Sequence, residues 1–285
     1  MLPPNLTRLL RYIETCRNAR LPGERIPFRI GEAGVGWVKP EFAKTLRRFP
    51  EFRVSEEAVV LEGAKAARLN EIAAQLAAAG LFRWRNESFD VRERPGGPVL
   101  CRLDRGALPL FGVLAEGVHC NCLVQHKGEW RLWVARRAPH KFLDPDKLDH
   151  LVAGGIPSGL SPREALIKEA AEEAGIPAEL AAKAEAVGTI AYAMERPEGL
   201  RRDLLHCFDL VLPEDFVPRA IDGEIASFAL WPLSRVLQTV LETEEFKFNV
   251  NLVLIDLFLR FGVIDPSGEE GQQLRAALNA PAWHP

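Results

Sequence analysis

The sequence lacks the excess of basic residues that is typical of nucleic-acid-binding proteins. Its 285 residues include 36 Lys and Arg against 39 Asp and Glu, which gives a net charge of −3 and a pI near 6.1. A basic patch or stripe is the electrostatic footprint of a nucleic-acid site. We therefore expect no nucleic-acid partner, and an anionic ligand would need a metal ion or local cations.

Cysteine is scarce, and its five positions show no paired spacing typical of a disulfide framework. Cys120 and Cys122 alternate in a strand-like stretch, so both thiols point to one face. No second Cys or His pair has the spacing of a zinc site. Core packing is therefore favoured over metal binding for these two thiols.

Long apolar runs are also missing. The most apolar stretch, VNLVLIDLFLRFG at residues 250–262, is shorter than the ~20 residues of a membrane helix and contains Asp256. The first residues, MLPPNLTRLLRYIETC, lack the apolar core of a signal peptide. We therefore expect a cytoplasmic protein without membrane contact, in which residues 250–262 form a buried helix.

Length and periodicity predict two domains and a tail. The content of 47% apolar and 26% charged residues is that of a folded globular chain. Helix-period patterns dominate up to residue 79, and short alternating strands with a final helix follow. We predict a smaller α+β domain at residues 1–115, an α/β domain at 116–265 and a loosely packed C-terminal tail at 266–285.

The most informative stretch is IKEAAEEAGI at residues 167–176, which places Glu169, Glu172 and Glu173 within five positions. In a helix, with about 100° per residue, these glutamates share one face. Each like-charge pair at this spacing costs roughly 0.2–0.5 kcal/mol. Clustered carboxylates suit a hard divalent cation such as Mg²⁺.

The bounds of this helix are also marked in the sequence. SPRE at residues 161–164 is typical of a capped helix start, and Gly175 is typical of a helix end. A solvated surface face is the alternative interpretation, because Lys168 can pair with the glutamates four residues before and after it.

The region around the helix resembles the Nudix box, G-x5-E-x7-R-E-U-x-E-E-x-G-U, where U is aliphatic. The matching positions are Gly154, Glu169, Glu172, Glu173, Gly175 and Ile176, and Gly155 adds a second glycine to the loop. Two positions depart from the box: Leu160 replaces its first glutamate, and Lys168 replaces its arginine.

The resemblance implies a Nudix α/β/α sandwich preceded by a smaller α+β domain. It also implies that Mg²⁺ or Mn²⁺ binds the three box glutamates and that water attacks a small-molecule diphosphate. Lys168 keeps the charge of the box arginine, although it cannot form a bidentate fork to a carboxylate. We include it among the catalytic candidates.

The whole chain resembles a Nudix subfamily with an extra N-terminal domain, related to the Nudix region fused to fungal thiamine pyrophosphokinase. The stretches that carry this similarity are residues 36–46, 82–91, 147–162, 199–225 and 246–256. The resemblance implies cleavage of thiamine diphosphate, or of its oxidised or damaged analogues, to the monophosphate.

Three other functions stay open. One is an ADP-ribose or dinucleotide pyrophosphatase, another is a non-catalytic module that binds a metabolite, and the third is an isomerase on the same fold. Retention of all three glutamates favours catalysis over a decayed site. The protein is expected to be a monomer or a homodimer.

Six residues outside the box are further candidates, and each also has a purely structural explanation. Glu224, beside an Asp-Gly turn, is a candidate base or metal ligand. A phosphate contact is predicted for Arg136, Arg137 and Lys147, a ring-stacking contact for Trp84, and a place on the substrate rim for Glu195.

Overall fold

The computed structural model describes residues 4–221 and 223–283, so Asp222 of the predicted turn lies outside the described residues. The α-helices are α1 (Pro4–Cys16), α2 (Pro40–Leu46), α3 (Leu69–Ala78), α4 (Leu108–Phe111), α5 (Pro162–Ala174), α6 (Ala178–Ala181), α7 (Leu233–Glu242), α8 (Val250–Arg260) and α9 (Glu269–Asn279). The strands are β1 (Ile26–Ile30), β2 (Ala33–Val38), β3 (Phe52–Val54), β4 (Val59–Leu61), β5 (Ser88–Val91), β6 (Cys101–Asp104), β7 (Leu114–His126), β8 (Glu129–Arg137), β9 (Leu148–His150), β10 (Val152–Gly155), β11 (Glu185–Arg196), β12 (Gly199–Val211) and β13 (Ile225–Pro232).

The N-terminal part is built on a four-stranded sheet in the order β2-β1-β4-β3 and a separate β5-β6 hairpin. Helices α2 and α3 bury their apolar sides in the core between them, as their periodicity predicts. The last helix-period stretch before residue 79 forms two segments, because a 3₁₀ segment at Gly63–Arg68 precedes α3. Such tighter turns are common at helix N-termini.

A mixed sheet in the order β11-β12-β7-β8-β13 forms the second part, with β10 paired to β7 and β9 to β8. Alternation along β7 directs Cys120 and Cys122 to the core on the α5 side and Leu123 to the core on the α8 side. The predicted α/β/α arrangement is therefore confirmed. Both cysteines are fully buried, which confirms their role in core packing.

The tail does not pack loosely, so that prediction is wrong. Leu274 and Leu278 of α9 are buried in the same core as α8. Helix α1 joins this core through Leu6, Leu9 and Ile13, although it lies at the other end of the chain. Amphipathic periodicity predicts that a helix face is buried, but it does not identify the surface that covers it. The boundaries near residues 115 and 265 remain predictions.

Helix α8 is a buried helix, as predicted from its apolar run. Within residues 4–221 and 223–283, none of the helices combines the length and the hydropathy of a membrane span.

Candidate active site

Helix α5 begins and ends where its sequence predicts. The Ser161 side chain accepts a hydrogen bond from the Glu164 backbone, and the Glu164 carboxylate accepts one from the Ser161 N–H at 2.8 Å. This reciprocal cap satisfies backbone donors that have no partner inside the helix. At the other end, Gly175 adopts a left-handed conformation with φ 63°. The caps fix which residues of the helix meet β10.

Glu169 lies directly over the strand β10. A Cβ atom added to Gly154 would lie 2.4 Å from the Glu169 carboxyl carbon, so only glycine allows this approach. The Glu169 side chain is 15% exposed. Burial raises its pKa, and the charge of Lys168 opposes that shift.

Glu173 is the most buried of the three box acids. It is 5% exposed, and one carboxylate oxygen accepts a hydrogen bond from the Ala153 N–H at 2.9 Å. Burial raises the pKa of Glu173 to about 8, while the Ala153 hydrogen bond acts in the opposite direction. Among the described residues, no lysine or arginine forms an ion pair with this carboxylate.

Glu172 has a different environment, because its side chain is 48% exposed. Lys168 donates to Glu172 at 2.5 Å and to Glu169 at 3.2 Å. The Lys168 ammonium thus bridges two of the three acids. The shared acidic face predicted from sequence is a graded one, with Glu173 buried, Glu169 mostly covered and Glu172 open to solvent.

The N-terminal part contacts the loop between β10 and α5. A Cβ atom on Gly155 would lie 2.5 Å from the Phe89 ring, so Gly155 lets this ring pack against the backbone. The Ser158 N–H donates to the Ser88 carbonyl at 2.7 Å, and the Ser158 hydroxyl donates to Asp90 at 2.5 Å. Sequence spacing could not reveal these contacts, because they join residues about 70 positions apart.

Glu224 is linked to the box glutamates through Lys141. Its carboxylate forms an ion pair with Lys141, and its carbonyl accepts from the Ala138 N–H at 2.8 Å. The Lys141 charge also lowers the pKa of Glu173, against the larger effect of burial. The structure therefore brings Glu224 to the side of the box on which Glu173 lies.

Two predicted phosphate contacts are engaged elsewhere. Arg137 is buried and donates to Asp149 at 2.9 Å and to the Leu143 carbonyl at 2.8 Å, so it cannot reach a ligand, and we remove it from the candidate set. Arg136 is paired with Glu245 at 2.7 Å on the surface. The sequence shows that both residues are positively charged, but not that Arg137 is paired with a buried carboxylate.

Lys147 lines a cavity of about 390 Å³. The wall also includes Tyr12, Phe246, Phe248 and Asn251, but none of the box glutamates. Asn251 is buried, and its side-chain oxygen has no hydrogen-bond partner among the described residues. This volume lies within the range of small-molecule sites.

The last two candidates have structural roles. Glu195 forms a two-pronged ion pair with Arg25 at 2.9 and 2.7 Å, and the hydrogen bonds from Arg25 lower its pKa. This contact ties β11 to the N-terminal part. Trp84 is partly buried against the N-terminal core, in agreement with its structural explanation.

A buried group of possible metal ligands escaped the sequence analysis. One ligand atom each from His119, Asp149 and His150 lies within 4.8 Å of the others. Yet Asp149 already accepts from Arg137 at 2.9 Å and from Lys247 at 3.1 Å. Two buried cations beside one carboxylate oppose a further divalent charge. The chemistry of these donors therefore fits a metal less well than that of the box glutamates.

The chain is similar to known proteins over most of its length. A family model described as a NUDIX domain matches residues 115–251, and one described as a domain of unknown function, DUF4743, matches residues 8–115. Nudix hydrolase 20, chloroplastic, of Arabidopsis thaliana is 37% identical over 280 residues, which cover 92% of this chain and 75% of the relative. Nudix hydrolase 24, chloroplastic, of the same plant is 38% identical over 274 residues, with the same coverage of 92% and 75%.

Among solved structures, DR0079 from Deinococcus radiodurans is similar with 20% identity and a TM-score of 0.44, over 59% of this chain and 97% of that one. The chain belongs to the Nudix hydrolase family, whose members hydrolyse diphosphate bonds and generally use divalent ions such as Mg²⁺ or Mn²⁺. Both plant relatives are named as chloroplastic, which contradicts the cytoplasmic location expected from the sequence.

Proposed function

We propose that the protein is a Mg²⁺- or Mn²⁺-dependent diphosphohydrolase in which Glu169, Glu172 and Glu173 hold the metal. The observation that carries this proposal is the graded acidic face of α5, where Lys168 pairs with Glu169 and Glu172 and the buried Glu173 has no ion-pair partner among the described residues. All three side chains offer oxygen donors, which Mg²⁺ prefers. A bound divalent ion supplies charge neutralisation for the diphosphate and a more acidic water.

Four residues besides the box glutamates contribute to the proposed chemistry. The Ala153 N–H fixes the orientation of Glu173, and Gly154 gives Glu169 the room to lie against β10. Lys168 screens the repulsion between Glu169 and Glu172. Glu224, the ion-pair partner of Lys141, is the further acid that we assign as a metal ligand or a proton acceptor.

Thiamine diphosphate, or an oxidised or damaged analogue, is the substrate that we propose. The support is the resemblance of five stretches to the thiamine-related subfamily. One of them, residues 246–256, supplies Phe246, Phe248 and Asn251 to the wall of the 390 Å³ cavity. Aromatic walls with a few placed polar groups are typical of sites for planar organic ligands.

The test is product analysis by chromatography after incubation with thiamine diphosphate, an oxidised analogue, ADP-ribose and a dinucleoside polyphosphate, each with and without Mg²⁺. We expect metal-dependent conversion of a thiamine compound to its monophosphate, faster than any other reaction. Preferential cleavage of ADP-ribose or the dinucleotide would replace the substrate assignment. Ligand-induced stabilisation without turnover of any compound would favour the non-catalytic module.

A further inference from the structure

The conformation of the segment 83–87, just before β5, is fixed by hydrogen bonds to a buried carboxylate. Asp104, which is 1% exposed, accepts backbone N–H donors from Arg85 at 3.0 Å, Glu87 at 3.3 Å and Gly106 at 2.8 Å. Between the first two donors, Asn86 adopts a left-handed conformation with φ 57°. A buried carboxylate that gathers three donors fixes the path of this loop and the direction of its side chains.

This segment adjoins the part of the candidate active site where β10 ends and Glu169 lies. Directly after it, Ser88 and Phe89 contact the loop between β10 and α5 at Ser158 and Gly155. The Glu87 carboxylate is near enough to Glu169 to add to the rise in its pKa, which is caused mainly by burial. The loop held by Asp104 therefore ends beside the box carboxylates.

The same segment also contacts Phe142, close to Lys141 and Glu224. The Arg85 guanidinium lies 4.2 Å from the centroid of the Phe142 ring, and the Arg83 guanidinium lies 5.8 Å from it. Phe142 is 63% exposed and directly follows Lys141, the partner of Glu224. The two guanidinium groups thus lie beside Phe142, the residue that follows the ion-pair partner of Glu224.

The charges in this segment are unequally balanced. Arg105 is paired with Glu87 at 2.8 Å, whereas neither Arg83 nor Arg85 forms an ion pair within the described part of the chain. Partial burial, together with the charges of Arg83 and Arg105, lowers the pKa of Arg85 against the smaller opposing effects of Asp104 and Glu87. An anion bound here would relieve this repulsion. Stacking on Phe142 uses the face of a guanidinium and leaves its N–H edge free for a bidentate contact.

We propose that Arg83 and Arg85 of the N-terminal part form an anion-binding pair that contacts a phosphate of the organic diphosphate held at the box glutamates. The proposal rests on the function proposed above and assigns a binding role to a segment of the domain of unknown function. It also gives that domain a direct contact with the substrate, in addition to its packing against the loop.

The experiment measures the affinity of inorganic pyrophosphate in the presence of Mg²⁺ by calorimetry, and kcat and KM for the best substrate of the panel. The variants are Arg85→Gln, Arg83→Gln and Arg85→Lys. Arg94→Gln is the matched control, because Arg94 is an exposed arginine in the turn at the opposite end of the β5-β6 hairpin. Thermal unfolding of each variant checks that it is folded.

We expect Arg85→Gln to weaken pyrophosphate binding about tenfold or more and Arg83→Gln to weaken it less, with Arg94→Gln within about twofold of the wild type. Arg85→Lys should recover part of the affinity, because it keeps the charge but not the fork. The loss should appear in KM more than in kcat, and it should shrink at high salt.

Two results overturn the inference: equal pyrophosphate affinity in the wild type, Arg83→Gln and Arg85→Gln, or no pyrophosphate binding to the wild type. A failure of the proposed function looks different. In that case pyrophosphate binding still depends on Arg83 and Arg85, but the wild type hydrolyses none of the diphosphates.

Discussion

Two groups of charged side chains flank the strands β9 and β10, and their charges are balanced in opposite ways. At the box, Lys168 is the ion-pair partner of both Glu169 and Glu172, and Glu173 has none among the described residues. In the buried group, the one carboxylate of Asp149 accepts from both Arg137 and Lys247. Burial alone would raise the pKa of Asp149, but Lys247 and the other neighbouring positive groups hold it below its ordinary value.

The comparison separates the proposed metal site from a structural group of ion pairs. An excess of negative charge at the partly open end of a helix attracts a cation from solution. A carboxylate that already has two buried cationic partners stabilises the fold and has little affinity for a metal. The distinction depends on partners and burial, since Asp, Glu and His are common in both kinds of site.

The largest expected effect is on the buried group. Asp149→Asn keeps the side-chain shape but leaves Arg137 and Lys247 buried without a counter-charge, which should lower the free energy of unfolding by about 3–5 kcal/mol. Urea denaturation at pH 7.5 measures this loss. Glu245→Gln, which removes the surface partner of Arg136, is the control and should cost less than about 1 kcal/mol. Losses of equal size would mean that the buried pairs are no more important than surface ones.

The next effect is on the box. Glu173→Gln can still accept the Ala153 hydrogen bond but loses the charge that holds a cation, so kcat should fall at least ~100-fold, which corresponds to about 2.7 kcal/mol. Steady-state kinetics at saturating Mg²⁺ measure this change, and KM should move less.

The control for Glu173 lies on the same helix. Glu164→Gln affects the cap at Ser161, which is worth about 1 kcal/mol of stability, so its rate should stay within a few-fold of the wild type. Similar rates for the two variants would contradict the active-site assignment of Glu173.

The smallest effect is the pH dependence of the buried histidines. Burial lowers the pKa of His150 to about 4 and that of His119 well below its ordinary value of 6.5. Below pH 6.5 the unfolded chain therefore binds protons that the folded chain does not, so stability present above pH 6.5 is lost as the pH falls toward 4. For His150 this loss should be about 2 kcal/mol between pH 7.5 and 5, while the raised pKa of Glu173 acts in the opposite direction, so urea denaturation of the wild type is compared with that of a His150 variant.

A variant sharpens this assignment. His150→Gln should change the dependence of stability on pH, because it removes a buried group whose proton uptake is favoured in the unfolded chain. A pH dependence equal to that of the wild type would place the titrating groups elsewhere.

Local patterns predicted the box helix well. The cap at Ser161 and Glu164, the end at Gly175 and the burial of α8 all follow from interactions within a few residues, which spacing reveals directly. The loose tail was predicted wrongly, because the surface that covers Leu274 and Leu278 includes α1, more than 250 residues earlier in the chain. The roles of Arg137 and Glu195 were equally hidden, since their partners are chosen by the fold.

The sequence by itself determined that Glu169, Glu172 and Glu173 lie within one helix and that glycines precede and follow it. The tertiary structure alone decided their different environments, with Glu173 buried against the Ala153 N–H and Glu172 left in solvent. It also decided that the loop held by Asp104 in the N-terminal part meets the box. The physical reason is that periodicity fixes the direction of a side chain relative to its own helix or strand, whereas burial and charge balance depend on chain segments that only folding brings together.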